Sequence, residues 1–338
     1  MSTATAARPP RPFGSVLSAM VTPFTTSGGL DIDAAVALAT RLVDEDGHDG
    51  LVLSGTTGES PTTSDEEKDR LLRAVLDAVG DRASVLAGVG TFDTAHTVEL
   101  ARAAEKAGAH GLLVVTPYYS KPPQSALLHH FSTIADATGL PVMLYDIPGR
   151  SGVAIETETL VRVAEHERIV AVKDAKGDLL ATSWVLARTE LAYYSGEDAL
   201  NFALLAHGAS GVVSVVGHVA GRDYAQMVAA VDAGDLVTAR AVHTRLLPAV
   251  RGIMTRTQGV VAVKAALQLT GALGRRSVRA PLLEATPDEV ATIAADLALA
   301  GLLPGDARCI PEDPRTTQSS ARPNHHTVAA AQAAEGAA

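Results

Sequence analysis

The chain is poor in cysteine, in aromatic side chains and in positive charge. Among its 338 residues Cys309 is the single cysteine, aromatic residues make up 4%, and 28 basic residues stand against 38 acidic ones. One cysteine excludes an intrachain disulfide and a zinc site built from several cysteines. A formal net charge of −10 argues against a nucleic-acid groove, which needs a concentrated basic face. We therefore expect no nucleic-acid partner.

The sequence also lacks long hydrophobic segments. Residues 1–12 contain no apolar run of the length found in secretory signals, and no uninterrupted apolar stretch is long enough to span a bilayer. We expect no membrane association and a cytoplasmic location. Residues 1–12 are predicted to form a flexible tail. Residues 304–338, which are rich in Pro, Ser, Thr, Gln, His and Ala, are predicted to be disordered.

The body of the chain repeats a pattern of strand and helix. Eight short apolar runs rich in Val, Ile and Leu begin near residues 16, 50, 84, 111, 141, 169, 191 and 211. Such runs are typical of buried parallel strands, and stretches with helical spacing separate them. Ser64 and Glu67 have the spacing of a capping box, and Thr94 is predicted to cap a helix that ends at Gly108. The alternation predicts a (β/α)8 barrel, or TIM barrel, over residues 13–222.

A doubly wound open sheet is the competing fold. It requires a glycine-rich phosphate-binding turn after the first strand, and none follows the run VLSAMV. Residues 223–303 show helical spacing without a clear strand. We therefore predict an appended C-terminal helical region there, which could pack against the barrel or against a partner subunit.

In such a barrel the active site lies at the carboxyl ends of the strands. The sixth run, IVAVK, ends on Lys173, one of six lysines in the chain. Burial lowers the pKa of a lysine and leaves a neutral amine able to attack a carbonyl group, whereas the structural alternative is a lysine whose ammonium reaches solvent. Lys176, in a loop with a glycine, is expected to be solvated. Asp146 and Asp174 are expected to orient or cap neighbouring groups.

Other polar residues follow the remaining strands. Tyr118, Tyr119 and Tyr145 stand at strand ends, where a phenol can both donate and accept a proton, although tyrosine also favours half-buried rims. Arg150 carries a guanidinium suited to a substrate carboxylate, or to an ordinary surface ion pair. The glycine-containing turn at residues 55–60 offers N–H groups and hydroxyls to an anion. The histidines show no metal-ligand spacing, so no metal site is expected.

Four motifs carry a resemblance to a known family. GTTGES at 55–60, TPYY at 116–119, YDIPGR at 145–150 and VKDAKGD at 172–178 resemble the dihydrodipicolinate synthase family of the pyruvate-dependent class I aldolases. The resemblance extends from about Phe13 to Leu303. It implies a lyase that condenses pyruvate with L-aspartate 4-semialdehyde, the first committed step of lysine biosynthesis through diaminopimelate. It implies no cofactor, because pyruvate is held as a covalent Schiff base.

The resemblance also implies a role for each matched residue. Lys173 resembles the Schiff-base lysine, and Tyr145 resembles the tyrosine that transfers protons beside the imine. Thr56 resembles the hydroxyl that links Tyr145 to a second tyrosine, Tyr119, which the family supplies across a subunit interface within a homotetramer built as a dimer of dimers. The implied substrate-binding positions are Thr57 for the pyruvate carboxylate, Arg150 for the carboxylate of the semialdehyde, and the backbone carbonyls of Gly196 and Val213.

Two other functions compete with this one. A sister aldolase or dehydratase acting on N-acetylneuraminate or a 2-keto-3-deoxy sugar acid would keep Lys173 and Tyr145. Those enzymes often carry the turn GSTGE and lack an arginine at the position of Arg150, so the sequence favours the synthase. A non-catalytic binding paralogue would not be expected to keep Lys173, Tyr145, Thr56 and Tyr119 together.

The resemblance predicts weak or absent feedback inhibition by L-lysine. Ser60 and Tyr118 match the lysine site of inhibited relatives. The other positions do not match. Those relatives carry histidines where this chain has Asp65 and Lys68, an asparagine near Phe92 and a glutamate near His96.

Overall fold

Residues 9–303 are described by a computed structural model, and the eight predicted strands are present in them. The strands form a closed, all-parallel barrel in sequence order, in which β8 pairs with β1. The predicted (β/α)8 barrel is confirmed, and the open sheet is excluded. The strands are β1 Val16–Ala19, β2 Gly50–Leu53, β3 Ser84–Gly88, β4 Gly111–Val115, β5 Val142–Asp146, β6 Ile169–Asp174, β7 Ala192–Ser195 and β8 Gly211–Ser214.

Alternate side chains of the strands fill the barrel interior. Met143 and Tyr145 of β5, together with Ala171 of β6, belong to one buried apolar cluster to which most of the strands contribute. Successive side chains of a strand point to opposite faces, so Lys173 shares the inward direction of Ala171. Lys173 lies one strand position before the carboxyl end of β6, where active sites of this fold are found. The pleat of the sheet therefore directs its amine toward the site.

Eight helices follow the first seven strands and cover the barrel. Ser64 and Glu67 form the predicted capping box at the start of α2. The prediction that Thr94 caps α3 is wrong, because the carboxylate of Asp93 accepts the N–H of Ala95 while the Thr94 hydroxyl bonds His130 Nδ1. The helices are α1 Ile32–Asp44, α2 Asp65–Val79, α3 Thr94–Ala107, α4 Gln124–Asp136, α5 Pro148–Ser151, α6 Thr157–Val163, α7 Leu179–Leu186 and α8 Asn201–Ala206.

Four further helices complete the described chain. They are α9 Gly217–Asp232, α10 Leu236–Met254, α11 Gly259–Leu269 and α12 Pro287–Leu299. The first of them, α9, packs against β1, β8 and α10, and α10 also packs against α12. The boundary predicted between residues 222 and 223 lies within α9, which serves both as the last helix of the barrel and as the first of the C-terminal helical region.

The described chain begins with a short segment held against the barrel. The guanidinium of Arg11 bonds both carboxylate oxygens of Asp232 at 2.7 Å and the carbonyl of Ser210 at 2.7 Å. Of the flexible tail predicted at residues 1–12, only residues 9–12 are described, and Arg11 makes these contacts within them. The predictions for residues 1–8 and for the tail at 304–338, which contains Cys309, lie outside the described residues. Between residues 9 and 303 no helix is long and apolar enough to cross a membrane.

Candidate active site

The centre of the site is a lysine and a tyrosine on neighbouring strands. Lys173 and Tyr145 are paired in register between β6 and β5, and Lys173 Nζ lies 4.2 Å from the centroid of the Tyr145 ring. The lysine side chain is buried, and desolvation lowers the pKa of its amine to about 8. The prediction that Lys173 is desolvated at a strand end is confirmed.

Tyr145 is buried beside the amine and linked to the turn at residues 55–60. Burial raises the pKa of its phenol to about 12, while the charge of Arg150 and a hydrogen bond with the Thr56 side chain oppose that rise. The structure therefore brings four of the predicted residues together. Lys173 supplies an amine, Tyr145 a phenol, Thr56 a hydroxyl and Arg150 a permanent positive charge.

A cavity of about 250 Å³ opens at this end of the barrel. Thr56, Tyr145 and Arg150 line it. Tyr118 and Ser60, which the sequence associated with a lysine site, line the same cavity, so the two regions are continuous. Its size suits small metabolites rather than a polymer.

Gly196 leaves room for the lysine side chain. A Cβ at this position would lie 2.7 Å from Lys173 Cγ and 2.9 Å from Lys173 Cε, closer than side chains pack. The backbone N–H of Gly196 donates to the carbonyl of Asp174 at 2.7 Å, which fixes the start of the loop after β7. Thr57 is buried in its turn, and Val213 belongs to the apolar interior. The substrate contacts assigned to Thr57, Gly196 and Val213 stay predictions.

Tyr119 does not join the site of its own chain. Its side chain is 92% exposed, and its backbone is left-handed, with a φ of 75°. The neighbouring Tyr118 turns toward the cavity instead and packs edge to face against Phe92, with ring centroids 5.5 Å apart. A single chain therefore does not bring Tyr119 to Thr56 and Tyr145, and its predicted catalytic role depends on a partner subunit.

The expectation that Lys176 is solvated is wrong. Its ammonium lies 3.0 Å from Asp146 Oδ2 and donates to the carbonyl of Ile155 at 2.9 Å, while Asp146 Oδ1 accepts the N–H of Ile155 at 3.1 Å. Asp146 is almost fully buried, and burial raises its pKa against the attraction of Lys176. The pair stabilises the loops that follow Tyr145 and Lys173.

The orienting role expected for Asp174 is confirmed. One carboxylate oxygen accepts the N–H groups of Lys176 at 2.7 Å and Gly177 at 3.0 Å. The other accepts the hydroxyls of Tyr193 at 2.9 Å and Thr182 at 3.2 Å. Four donors hold this carboxylate, so the backbone directly after Lys173 is fixed.

The sequence reasoning missed two acidic residues after β7. Asp198 is buried and accepts the N–H groups of Val215 at 2.9 Å and Val216 at 3.0 Å, so it fixes the loop after β8. Its charge also raises the pKa of Lys173 against desolvation, and Glu197 acts in the same direction. Their position beyond Gly196, at another strand end, is the signal that could have found them.

A closed (β/α)8 barrel that places a buried lysine and a buried phenol at the carboxyl ends of its strands has the features of a TIM-barrel enzyme with a lysine nucleophile. Between residues 9 and 303 no group of three or more His, Cys, Asp or Glu side chains could hold a metal ion. The model of the dihydrodipicolinate synthetase family matches residues 12–300.

Curated relatives cover nearly the same span. The 4-hydroxy-tetrahydrodipicolinate synthase of Kineococcus radiotolerans is 84% identical over 304 residues, which are 90% of this chain and 98% of that protein. The enzyme of the same name from Acidothermus cellulolyticus is 67% identical over 292 residues, which are 86% of this chain and 94% of that protein.

Solved structures of synthases superpose on this chain over most of their length. A synthase from Cyanidioschyzon merolae with lysine bound superposes with a TM-score of 0.84 at 37% identity, covering 86% of this chain and 99% of that one. A synthase from Bacillus anthracis gives a TM-score of 0.82 at 41% identity, covering 85% and 98%. The chain belongs to the dihydrodipicolinate synthetase family and is an enzyme of the lyase class. The resemblance of its four motifs is confirmed.

Proposed function

We propose that the chain acts as a 4-hydroxy-tetrahydrodipicolinate synthase, condensing pyruvate with L-aspartate 4-semialdehyde in lysine biosynthesis. The observation that carries the proposal is the buried Lys173 amine, 4.2 Å from the Tyr145 ring centroid. The family match and the names of the closely related proteins support the same reaction. A cytoplasmic location stays a prediction from the sequence.

The reaction begins at Lys173. Its neutral amine attacks the ketone carbon of pyruvate, and loss of water gives an iminium. The iminium makes the methyl group acidic, and loss of a proton from that group gives an enamine. Tyr145, linked to Thr56, is placed to carry protons to and from these species. The pyruvate unit is held by the protein itself, and no organic cofactor or metal is required.

The second half of the reaction joins the two substrates. The enamine carbon attacks the aldehyde carbon of the semialdehyde, and the new alkoxide takes up a proton. Formation of this carbon–carbon bond restores the iminium on Lys173. The amino group of the semialdehyde then adds to the iminium carbon and displaces Lys173, which regenerates the free amine. Arg150 on the cavity wall is assigned to the carboxylate of the semialdehyde. Thr57 and the adjacent turn are assigned to the carboxylate of pyruvate, and the carbonyls of Gly196 and Val213 to the remaining pocket wall.

The proposal includes a homotetramer in which Tyr119 reaches the site of a partner subunit. Its 92% exposure in the single chain supports this placement. The test mixes two variants that are each expected to be inactive, Lys173→Met and Tyr119→Phe. A hybrid dimer contains one site with an intact lysine and an intact tyrosine, so activity should return on mixing and reassembly. Mixtures that stay inactive although hybrids form would contradict the shared site.

The activity itself is tested by offering the purified enzyme two substrate systems. Turnover of pyruvate with L-aspartate 4-semialdehyde, without cleavage of N-acetylneuraminate, is the expected result. Cleavage of the sugar acid in place of the condensation would overturn the proposal in favour of the sister aldolase. The residue that separates these outcomes is Arg150, because a guanidinium favours a carboxylate over the hydroxyls of a sugar chain.

A further inference from the structure

A buried ion pair joins the turn at residues 55–60 to the C-terminal helical region. The ammonium of Lys264, on α11, lies 2.6 Å from Glu59 Oε1, and both side chains are nearly inaccessible to solvent. Burying either charge without a partner would be costly, so the two residues depend on one another. The reaction described above does not use either of them.

Both ends of this ion pair make further contacts. Lys264 also donates to the carbonyl of Ser277 at 2.8 Å, and Glu59 Oε2 accepts the backbone N–H of Arg279 at 2.9 Å. The ring of Phe24 faces both cations, with its centroid 4.4 Å from Lys264 Nζ and 4.2 Å from Arg279 Cζ. Two segments of the C-terminal region therefore hold the Glu59 carboxylate in one place.

The backbone conformation at Glu59 shows how the ion pair with Lys264 affects the turn at residues 55–60. Its φ is 56°, a left-handed conformation that is unfavourable for a residue with a Cβ. In this conformation its N–H donates to the carbonyl of Thr56 at 3.1 Å. The Thr56 side chain in turn bonds the phenol of Tyr145. The path from the ion pair to the reacting groups is therefore two hydrogen bonds long.

We propose that Glu59 and Lys264 are positioning residues, whose ion pair holds the turn so that Thr56 and Thr57 face the Lys173 adduct. The inference rests on the proposed function and extends it. It gives the C-terminal helical region a part in catalysis without any contact between that region and the substrate.

The test uses Glu59→Gln, Lys264→Met and the double variant, each measured well below its melting temperature. Displacement of the turn should lower kcat by about 10- to 100-fold. It should also raise the KM for pyruvate, whose carboxylate lies at the turn, and leave the KM for the semialdehyde, held by Arg150, nearly unchanged. The double variant should lose no more than the single variants, because either change removes the same ion pair.

A second substitution at Glu59 separates the effect of losing its carboxylate from the effect of changing its backbone conformation. Glycine adopts a positive φ without strain, so Glu59→Gly keeps the left-handed backbone accessible while removing the carboxylate. The proposal predicts the same loss as for Glu59→Gln. Kinetic constants like those of the unaltered enzyme in both Glu59 variants would overturn it.

Asp296→Asn is the matched control. Asp296 on α12 is equally buried, and it pairs with Arg251 at 2.5 Å and with Arg256 at 2.9 Å inside the C-terminal helical region. This variant should melt at a lower temperature yet keep both KM values and kcat. If Asp296→Asn raised the KM for pyruvate by the same amount, general destabilisation of the C-terminal helical region would be sufficient. That result would overturn a specific role for Glu59 and Lys264.

The activity of the unaltered enzyme distinguishes a failure of the proposed function from a failure of this inference. If it fails to turn over pyruvate with the semialdehyde, the proposed function fails. The positioning role is then judged by the rate at which borohydride traps pyruvate on Lys173. A slower rate in the Glu59 and Lys264 variants, but not in Asp296→Asn, supports the role, and equal rates overturn it.

Discussion

Lys173 and Tyr145 face one another across neighbouring strands, with the amine nitrogen 4.2 Å from the centre of the phenol ring. Burial acts on the two groups in opposite directions. It lowers the pKa of the amine to about 8 and raises that of the phenol to about 12. At neutral pH the phenol thus keeps its proton, while part of the amine is free to act as a nucleophile. One buried environment prepares both a nucleophile and a proton donor.

The first prediction concerns pH. With a pKa of about 8, about one Lys173 amine in ten is neutral at pH 7, against roughly three in ten thousand at the ordinary value of 10.5. The rate of pyruvate adduct formation should therefore rise with pH and level off above about 8. The negative charge of Glu197 raises this pKa, so Glu197→Gln should move the midpoint to lower pH. A midpoint near that of free lysine, or one moved upward in Glu197→Gln, would contradict the assignment.

The second prediction concerns the space beside the lysine. In Gly196→Ala the new Cβ would lie 2.7 Å from Lys173 Cγ, so the lysine side chain has to move. Adduct formation should slow by at least about tenfold, as expected when a reacting group is misplaced. Gly149→Ala is the control, because nothing lies within 4 Å of a Cβ at that position, which is in the short helix α5 after β5. Equal rates in the two variants would show that Lys173 does not need this space.

The third prediction concerns Arg150, which lines the cavity. Loss of its guanidinium in Arg150→Ala should raise the KM for L-aspartate 4-semialdehyde far more than the KM for pyruvate, because only the former carboxylate is assigned to it. Arg150→Lys keeps the charge but not the two parallel hydrogen bonds, so its effect should be intermediate. Steady-state kinetics with each substrate varied in turn measures the difference. Similar increases for both substrates would remove this role from Arg150.

The fourth prediction is weak or absent inhibition by L-lysine. Asp65 accepts a hydrogen bond from His96 Nε2 at 2.8 Å and forms an ion pair with Lys68 at 3.5 Å, so its carboxylate is already engaged within the chain. Phe92 packs against Tyr118, near the position at which the resemblance implies an asparagine in inhibited relatives. A lysine titration of the coupled assay should leave the rate nearly unchanged. Inhibition below one millimolar that disappears in Tyr118→Ala would contradict this prediction.

The fold followed closely from the sequence because each buried parallel strand is a short apolar run. Lys173 is predictable for the same reason, since it ends such a run at the end of a strand, whereas Lys264, which follows the similar run VVAV, lies in helix α11. The cap of α3 was misplaced by one residue because Asp93 and Thr94 can both cap a helix. The choice was decided by His130, which engages the Thr94 hydroxyl from α4 and is distant in sequence.

The contacts that the sequence did not reveal join residues that are far apart in the chain. The contact of Lys176 with Asp146 is not predictable from the sequence, because only the pairing of β5 with β6 brings the two residues together. Glu59 and Lys264 are separated by 205 residues and meet only when α11 packs against the barrel. Spacing and periodicity report only on residues that are close along the chain. They therefore do not reveal contacts between residues that only the folded chain brings together.

The central claim is that Lys173 forms a Schiff base with pyruvate. The most direct test treats the enzyme with pyruvate and sodium borohydride and then locates the added mass by peptide mass spectrometry. The account predicts one reduced pyruvate adduct, on the peptide that contains Lys173, and none in Lys173→Met. An adduct on another lysine, or trapping that persists in Lys173→Met, would contradict it.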